Sequence, residues 1–264
     1  WPLLDYDEVA LKTAGDLFVE WLPKLRPELS FDAQALEDWE AVWAPIRARG
    51  AAGASVFCHR DYHAENLIWL PDRDGPARVG LLDFQDALRA HPAWDMSMLL
   101  HDARRDVSAA LEARSLDRYF ALRPQVDRAR CLADYHALGA LNIVRILGIF
   151  ARLVARDGKP RYADFTPRLW GYLDRCLADP QMSPLKAWLD AYVTDFLTRA
   201  REKGFAVPDV LFKNALDRIR NSVVNANEPE KDGGRDLAYG LYVLARNGTA
   251  PIGDLRYLAD TKLN

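Results

Sequence analysis

Hydrophobic residues recur at helical spacing along most of this 264-residue chain. Near the start, the stripes predict helices over residues 6–25 and 31–48, the second with Asp32 as its N-cap. The Arg-, Ala- and Gly-containing stretch at 47–53 predicts the end of that helix and a loop. Further helices are predicted over 95–104, 108–120, 125–156 and from Thr166, with Asp95 and Thr166 as candidate N-caps.

The helix predicted over 125–156 is apolar on most sides, which is typical of a buried core helix. Arg145, Arg152 and Arg156 lie along one face of it. For these three arginines we favour solvated or core-edge positions over a role in binding a substrate.

Two short apolar runs interrupt the helical pattern. Leu67-Ile68-Trp69-Leu70 and Val79-Gly80-Leu81-Leu82 flank a turn rich in Pro, Asp and Gly, which predicts a β-hairpin. This hairpin would bring Asn66 and Asp83, which lie just outside the two runs, to the same end. The predicted fold of this part is therefore mainly α, of an α+β family, with one short hairpin.

A change of composition divides the chain. All eight Trp, all five His and all three Cys occur before Asp190. Beyond that point, helical stripes joined by short polar segments predict an array of α-hairpins. The predicted helices are 185–203, 207–224, 235–246 and 253–262, and the joints contain Gly204, Glu228-Pro229, Gly233-Gly234 and Gly248. We place a domain boundary at 188/189, which gives domains 1–188 and 189–264, and interpret it as the join of two unrelated gene pieces.

Composition and charge narrow the class of protein. Half of the residues are hydrophobic and 28% are charged, as in a globular protein. A net charge of -3 provides no electrostatic footprint for nucleic acid or an anionic membrane. Three scattered cysteines do not make a disulfide framework, and no signal peptide or 18-residue apolar run is evident. We expect a soluble, cytoplasmic protein.

The candidate chemistry lies around the hairpin. His59-Arg60-Asp61, followed four residues later by Asn66, fits the catalytic loop of phosphoryl transfer, in which the Asp accepts a proton from a substrate hydroxyl and the Asn holds Mg²⁺. Asp83-Phe84 stands where a second metal-holding Asp belongs. Oxygen ligands at one end of a rigid hairpin suit Mg²⁺, which takes few protein carboxylates. The alternative is that these are polar residues of an ordinary loop, and the position of Asp83-Phe84 favours the enzyme.

Three segments resemble the aminoglycoside phosphotransferase and choline kinase-like family. They are 59–66, Leu82-Asp83-Phe84-Gln85-Asp86-Ala87, and the stretch from His91-Pro92 to Leu100. Arg60 after the His, and Gln85-Asp86-Ala87 after Asp83-Phe84, are most similar to bacterial kinases that phosphorylate the anomeric hydroxyl of N-acetylmuramate and N-acetylglucosamine in cell-wall recycling. The resemblance extends over about residues 2–188.

This resemblance implies the C-terminal lobe of a protein kinase-like fold and an ATP- and Mg²⁺-dependent transferase with a small amino sugar as its acceptor. It implies that Asp61 is the catalytic base, that Asn66 and Asp83 are metal ligands, and that Asp95 braces the catalytic loop by hydrogen bonds. The remaining candidates, which would bind substrate or support the loop, are His59, Arg60, Gln85 and Asp86. Glu65 and His91 depart from the glycines common at their positions.

One feature of a complete kinase is missing from the sequence. No Gly-rich phosphate loop and no strand lysine precedes the catalytic loop, because Lys12 and Lys24 lie on or beside a helical stripe. We therefore expect this chain to be a fragment at both ends that lacks the nucleotide-covering lobe, with residues 1–5 as the hinge strand or linker to it. Such a fragment would be inactive by itself.

The second part of the chain resembles part of the helical thioester-type toroid of bacterial alpha-2-macroglobulins. The resemblance lies in residues 188–197, 204–208 and 237–246, and no Cys-Gly-Glu-Gln thioester sequence is present. An alternative function is thus a non-catalytic helical module that binds an unidentified protein partner. A third is a metal hydrolase that uses Cys58, His59 and His63, although no Glu follows the first His as the helical zinc motif requires.

Overall fold

The computed structural model of the chain describes residues 2–27, 29–225, 235–253, 256 and 260. The chain divides into two compact units, Trp1–Met182 and Ser183–Asn264. The boundary predicted at 188/189 lies inside the first helix of the second unit. The predicted, mainly helical fold with a short hairpin is confirmed.

The first unit is built from helices and two small antiparallel sheets. Its helices are α1 (Glu8–Leu25), α2 (Ala33–Ala52), α3 (Ala93–Leu100), α4 (Ala109–Leu122), α5 (Arg128–Ala155) and α6 (Thr166–Leu177). Its strands are β1 (Val56–Cys58), β2 (Leu67–Trp69), β3 (Val79–Leu81) and β4 (Leu88–Ala90). In the first sheet β1 pairs with β4, and in the second β2 pairs with β3.

Helix α5 is the core of this unit and packs against α1, α3 and α6. Leu138, Leu141 and Ile143 are at most 2% exposed. Gly148 lets α1 approach closely, because a Cβ at this position would lie 2.4 Å from the backbone carbon of Leu17. Helix α5 is long and apolar enough to span a membrane, but 78% of its most apolar window is buried inside the protein, as in a core helix.

The predicted hairpin is confirmed. Leu67 pairs with Leu81, and Trp69 pairs with Val79. The backbone N–H of Leu82 donates to the carbonyl of Asn66 at 2.9 Å, which extends the ladder by one contact. Asn66 and Asp83 therefore come to the same end of the hairpin.

The predicted loop at 47–53 is wrong, because α2 continues to Ala52. Gly50 is accommodated inside the helix, where a Cβ would lie 2.8 Å from a methyl group of Leu138 on α5. Arg49 forms an ion pair with Asp134, also on α5. These distant contacts outweigh the local tendency of glycine to end a helix.

Two predicted caps are also wrong. Helix α3 begins at Ala93 after Pro92, so Asp95 lies in its first turn instead of at its N-cap. Thr166 is already helical, and its hydroxyl donates to the carbonyl of Ala163 at 2.8 Å. In contrast, Asp32 caps α2 as predicted, accepting the N–H of Ala35 at 2.9 Å.

The second unit contains α7 (Ser183–Glu202), α8 (Asp209–Val224) and α9 (Arg235–Arg246). These helices match three of the predicted four. Its core is formed by Ala191, Ile219, Val223, Leu241, Val243 and Leu244. Of the fourth predicted helix, 253–262, only residues 253, 256 and 260 are described, and the predicted joints at Glu228-Pro229 and Gly233-Gly234 lie outside the described residues.

An acidic side chain is buried within the second unit. Asp195, which is 3% exposed, accepts hydrogen bonds from Nε of Arg199 and from Nη1 of Arg246, each at 2.7 Å. Arg246 also donates to Glu202 at 2.5 Å. This network ties α9 to α7.

Candidate active site

Asp95 holds the start of the candidate catalytic loop. Its Oδ2 accepts the backbone N–H of His59 at 2.6 Å, and its Oδ1 accepts the backbone N–H of Arg60 at 3.0 Å. The thiol of Cys58 donates to Oδ1 at 3.0 Å, and burial, together with the nearby Asp95 charge, raises the pKa of that thiol. Arg60 has a left-handed backbone with φ of 73°. Asp61 follows directly from this constrained turn.

A second carboxylate supports the other side of the loop. Asp102 is 2% exposed, and its Oδ2 accepts the backbone N–H of Ala64 at 3.1 Å. Its Oδ1 accepts the backbone N–H of Arg104 at 2.9 Å. Sequence reasoning missed Asp102, because a polar residue directly after an apolar helical stripe is also what an ordinary helix end shows.

The backbone of Leu82 connects the loop to the hairpin. The ring of His59 lies with Nε2 2.7 Å from the carbonyl oxygen of Leu82, so Nε2 carries the proton and donates. The N–H of Leu82 donates to the carbonyl of Asn66. His59, Asn66 and the residue preceding Asp83 are thus joined by direct hydrogen bonds.

The side chain of Asn66 is oriented by the loop. Its Nδ2 donates to the carbonyl of Asp61 at 3.0 Å and lies 3.4 Å from Nε2 of His63. Burial, followed by the nearby charge of Arg104, lowers the pKa of His63, which favours the neutral ring that can accept this contact. Both contacts use the amide nitrogen, so the oxygen Oδ1 is available for a cation.

Asp83 also has an unusual backbone, with φ of 61°, and its side chain is exposed. Its Oδ1 accepts Nε2 of Gln85 at 2.9 Å. Oδ2 of Asp86 lies 3.8 Å from Nη1 of Arg60, a separation typical of a weak surface ion pair. Asn66 and Asp83, at one end of the hairpin, carry oxygens of the type that Mg²⁺ prefers.

A pocket of about 160 Å³ opens beside Asp61. One part of its wall is polar or charged and is formed by Asp61, His63, His101, Asp102, Arg104 and Arg145. The remainder is mainly apolar or aromatic and is formed by Met98, Ala103, Ile146, Ile149, Phe150, Leu153 and Tyr162. Asn66 and Asp83 do not contribute to this wall. The pocket therefore combines the candidate base with an apolar surface.

Arg145 is a buried cation beside the candidate base. It is 6% exposed, its Nη2 lies 3.6 Å from Oδ1 of Asp61, and its Nη1 donates to Asn142 at 3.1 Å. Of the two positions expected for Arg145, solvated or core-edge, its burial excludes the solvated one. The available signal was a charge inside an otherwise continuous apolar stripe.

Behind the pocket, a buried network surrounds His101. Its Nε2 lies 3.2 Å from Oε1 of Glu112 and 3.0 Å from the hydroxyl of Tyr135, which donates to the same Glu112 oxygen at 2.8 Å. Arg175 pairs with the other oxygen of Glu112 at 3.1 Å. Burial lowers the pKa of His101. His101 thus connects the pocket wall to α4 and α5.

The alternative metal hydrolase is not supported. Cys58 donates its thiol proton to Asp95, and His59 donates to the carbonyl of Leu82, so both side chains are already engaged. Within the described part of the chain, no three His, Cys, Asp or Glu side chains form a group that could hold a metal ion.

The loop braced by Asp95 and the pocket beside Asp61 are the arrangement that the resemblance to phosphotransferases led us to expect. The sequence profile of the phosphotransferase enzyme family matches residues 2–135, and the chain belongs to this family. The family resemblance deduced from the sequence is confirmed.

Comparison with individual proteins gives two kinds of relative. The chain is 74% identical over 193 residues to the N-acetylmuramate/N-acetylglucosamine kinase of Caulobacter vibrioides, an alignment that covers 73% of this chain and 53% of the relative. The kinase of the same name from Pseudomonas aeruginosa is 29% identical over 189 residues, covering 68% of this chain and 54% of the relative. The alpha-2-macroglobulin of Xylella fastidiosa is 30% identical over 99 residues, covering 35% of this chain and 6% of that protein. The chain spans about half the length of the curated kinases it matches.

Proposed function

We propose that the first unit is the acceptor- and metal-binding lobe of an ATP- and Mg²⁺-dependent kinase. It would phosphorylate the anomeric hydroxyl of N-acetylmuramate or N-acetylglucosamine in cytoplasmic cell-wall recycling. The observation that carries the proposal is the position of Asp61, on a loop braced by Asp95 and at the wall of a pocket. The names of the matching kinases support the choice of acceptor.

Asp61 would orient the sugar hydroxyl and accept its proton. Arg145 lies near Oδ1, so it attracts one carboxylate oxygen and helps to fix the orientation of the side chain. The other oxygen can then accept the hydrogen bond of the acceptor hydroxyl. Because phosphoryl transfer leaves little covalent work to the protein, this alignment is a main contribution of the chain.

The apolar wall of the pocket suits the less polar face of a sugar ring and its N-acetyl methyl group. Phe150 and Tyr162 lie with ring centroids 5.1 Å apart and form part of this wall. Ligand pockets of this kind combine an apolar lining with a few fixed polar groups. His63 and Arg145 supply such groups beside Asp61.

Mg²⁺ would be held by Oδ1 of Asn66 and the carboxylate of Asp83. When bound, the ion would neutralise negative charge on the phosphates of ATP. The chain's own contribution is to keep the two oxygens at one end of the hairpin, through the contact between Leu82 and Asn66.

We further propose that turnover requires residues that this chain does not supply. The sequence before the catalytic loop has neither a Gly-rich phosphate loop nor a strand lysine, and the matching kinases are about twice as long as the aligned region. This role is proposed for the first unit alone.

The test is a chimera in which the part of the Caulobacter vibrioides kinase that this chain does not match is fused in front of this chain. We expect Mg²⁺-dependent transfer from ATP to both sugars, measured by ³¹P NMR. Replacing the base in Asp61→Asn should lower kcat by about 100-fold or more, since a general base contributes about 10²–10⁴-fold. The exposed carboxylate in Asp106→Asn is the matched control. If the folded chimera phosphorylates neither sugar, the proposal is wrong.

A further inference from the structure

A second arginine, Arg104, lines the pocket, and its ion-pair partner is a residue other than Asp61. Its Nε lies 3.0 Å from Oε2 of Glu65, and the two side chains are 26% and 58% exposed. Ion pairs of this exposed kind contribute little to stability. The side chain of Arg104 can therefore exchange Glu65 for another anion at small cost.

Arg145 is in a different situation. It is buried, its Nη2 faces Asp61, and Asn142 accepts a hydrogen bond from its Nη1. An anionic ligand placed against Arg145 would lie beside the Asp61 carboxylate and be repelled by it. Arg104 lines the same pocket, and a ligand can displace its partner Glu65. Arg104 is therefore the better site for a ligand's negative charge.

The backbone around Arg104 is fixed. Its N–H donates to Oδ1 of Asp102, whose Oδ2 accepts the N–H of Ala64. Because one buried carboxylate holds both segments, Arg104 and Glu65 keep a set position relative to the loop that carries Asp61. A charge on the ligand can thus be recognised at a defined distance from the reacting hydroxyl.

The two proposed acceptors differ in this respect. N-acetylmuramate is N-acetylglucosamine with a lactyl ether at carbon 3, and the lactyl carboxylate is ionised at neutral pH. Carbon 3 is separated from the anomeric carbon by one ring atom, so its substituent projects away from a hydroxyl bound at Asp61. We propose that Arg104 binds this carboxylate in place of Glu65 and that the pair sets the preference for an acidic over a neutral amino sugar. This inference rests on the proposed function.

The experiment measures the affinity of the 264-residue chain for each sugar by NMR titration or calorimetry. The quantity of interest is the ratio of the affinity for N-acetylmuramate to that for N-acetylglucosamine. In Arg104→Met this ratio should fall roughly tenfold, the effect of losing one charge-assisted hydrogen bond. In Glu65→Gln, which removes the competing anion, the ratio should rise severalfold. Arg104→Lys, which keeps the charge, should recover part of the loss.

Arg105→Met is the matched control, because it removes the same charge one residue away at an exposed position. Its ratio should equal that of the unmodified chain. Raising the salt concentration should lower the ratio of the unmodified chain and leave that of Arg104→Met nearly constant. Circular dichroism checks that each variant is folded.

Three outcomes would overturn the inference. If the ratio is unchanged in Arg104→Met, which includes an equal fall of both affinities, Arg104 does not bind the carboxylate, and the proposed function stands. A fall in the ratio for Glu65→Gln would likewise assign the recognition elsewhere. If the unmodified chain binds neither sugar, this inference is wrong, and the activity of the chimera decides the proposed function separately.

Discussion

The carboxylate of Asp95 accepts the backbone N–H of Arg60 at 3.0 Å while Arg60 holds a left-handed backbone with φ of 73°. Outside glycine this conformation costs about 1–2 kcal/mol, and it persists only where the surroundings impose it. Asp95 also accepts the N–H of His59, so one side chain on α3 fixes both peptide groups before Asp61. The orientation of the candidate base therefore depends on a residue 34 positions later in the chain.

We expect Asp95→Asn to destabilise the protein by about 2–3 kcal/mol, because an amide offers one acceptor oxygen where the carboxylate offers two. One of the two backbone N–H groups, or the Cys58 thiol, would then lose its partner. Urea unfolding measures the free energy change. Asp106→Asn, at an exposed position, serves as the control and should change it by less than about 0.5 kcal/mol. Equal stabilities of the two variants would show that the brace is dispensable.

The close contact between α1 and α5 gives a paired prediction. Gly148→Ala should destabilise by about 1–3 kcal/mol or more, because the new methyl group would lie within 2.6 Å of three backbone atoms of Leu17 and Phe18. Gly171→Ala, on α6, should stabilise by about 0.5–1 kcal/mol, since a Cβ there meets nothing within 4 Å and Ala is the better helix former. Thermal unfolding of the two variants should shift in opposite directions. A shift in the same direction would contradict the helix spacing seen here.

The free energy of unfolding should decrease as the pH is lowered from 6.5 to 5. Burial lowers the pKa of His63, His91 and His101 below the ordinary value of 6.5. Well above pH 6.5 these histidines are neutral in both states and the folded form has its full stability. Below that value the unfolded chain takes up protons that the folded chain resists, so stability decreases by at most about 1.4 kcal/mol per pH unit for each histidine.

Urea unfolding at pH 7.5, 6.5 and 5.5 measures this slope. The groups that face these histidines include Glu112 at His101 and Asp134 and Arg49 at His91. Burial acts to raise the pKa of Glu112, but its contacts with His101, Tyr135 and Arg175 outweigh burial and lower it. Its contribution is therefore lost only below about pH 4.5, outside the range measured. A free energy of unfolding that stays level or rises from pH 6.5 to 5.5 would refute the assignment of neutral buried histidines.

In the second unit, Asp195→Asn should weaken the link between α7 and α9. The change removes the charge that two arginines share, which we expect to cost about 1.5–3 kcal/mol. Amide hydrogen exchange in α7 and α9 should speed up accordingly. The control is Asp217→Asn, whose carboxylate is half exposed and lies 3.6 Å from Arg220. Unchanged protection in Asp195→Asn would mean that the apolar core alone holds these helices together.

Local signals were sufficient for much of the first unit. The hairpin followed from its two apolar runs, and most helix bounds followed from the spacing of apolar residues. The motif likewise indicated Asp61, Asn66 and Asp83 as candidates, because their chemistry is tied to fixed spacings along the chain.

Other features depend on contacts between residues far apart in sequence. Helix α2 continues through Gly50 because α5 packs there, and nothing in the local sequence specifies that contact. Asp102 acts on Ala64, 38 residues earlier. Arg104 and Arg145 join the pocket only once the loop and α5 are brought together. Such relationships arise from packing, and a pattern within one segment does not encode them.

The main-chain contacts at Leu82 have a consequence for variation in this protein. Its N–H and carbonyl tie together His59 and Asn66, while its side chain is 45% exposed. Position 82 can therefore accept many different side chains, in natural relatives or in a randomised library, without loss of the hydrogen bonds that join the hairpin to the loop. Proline is the exception, because it has no N–H with which to keep that bond.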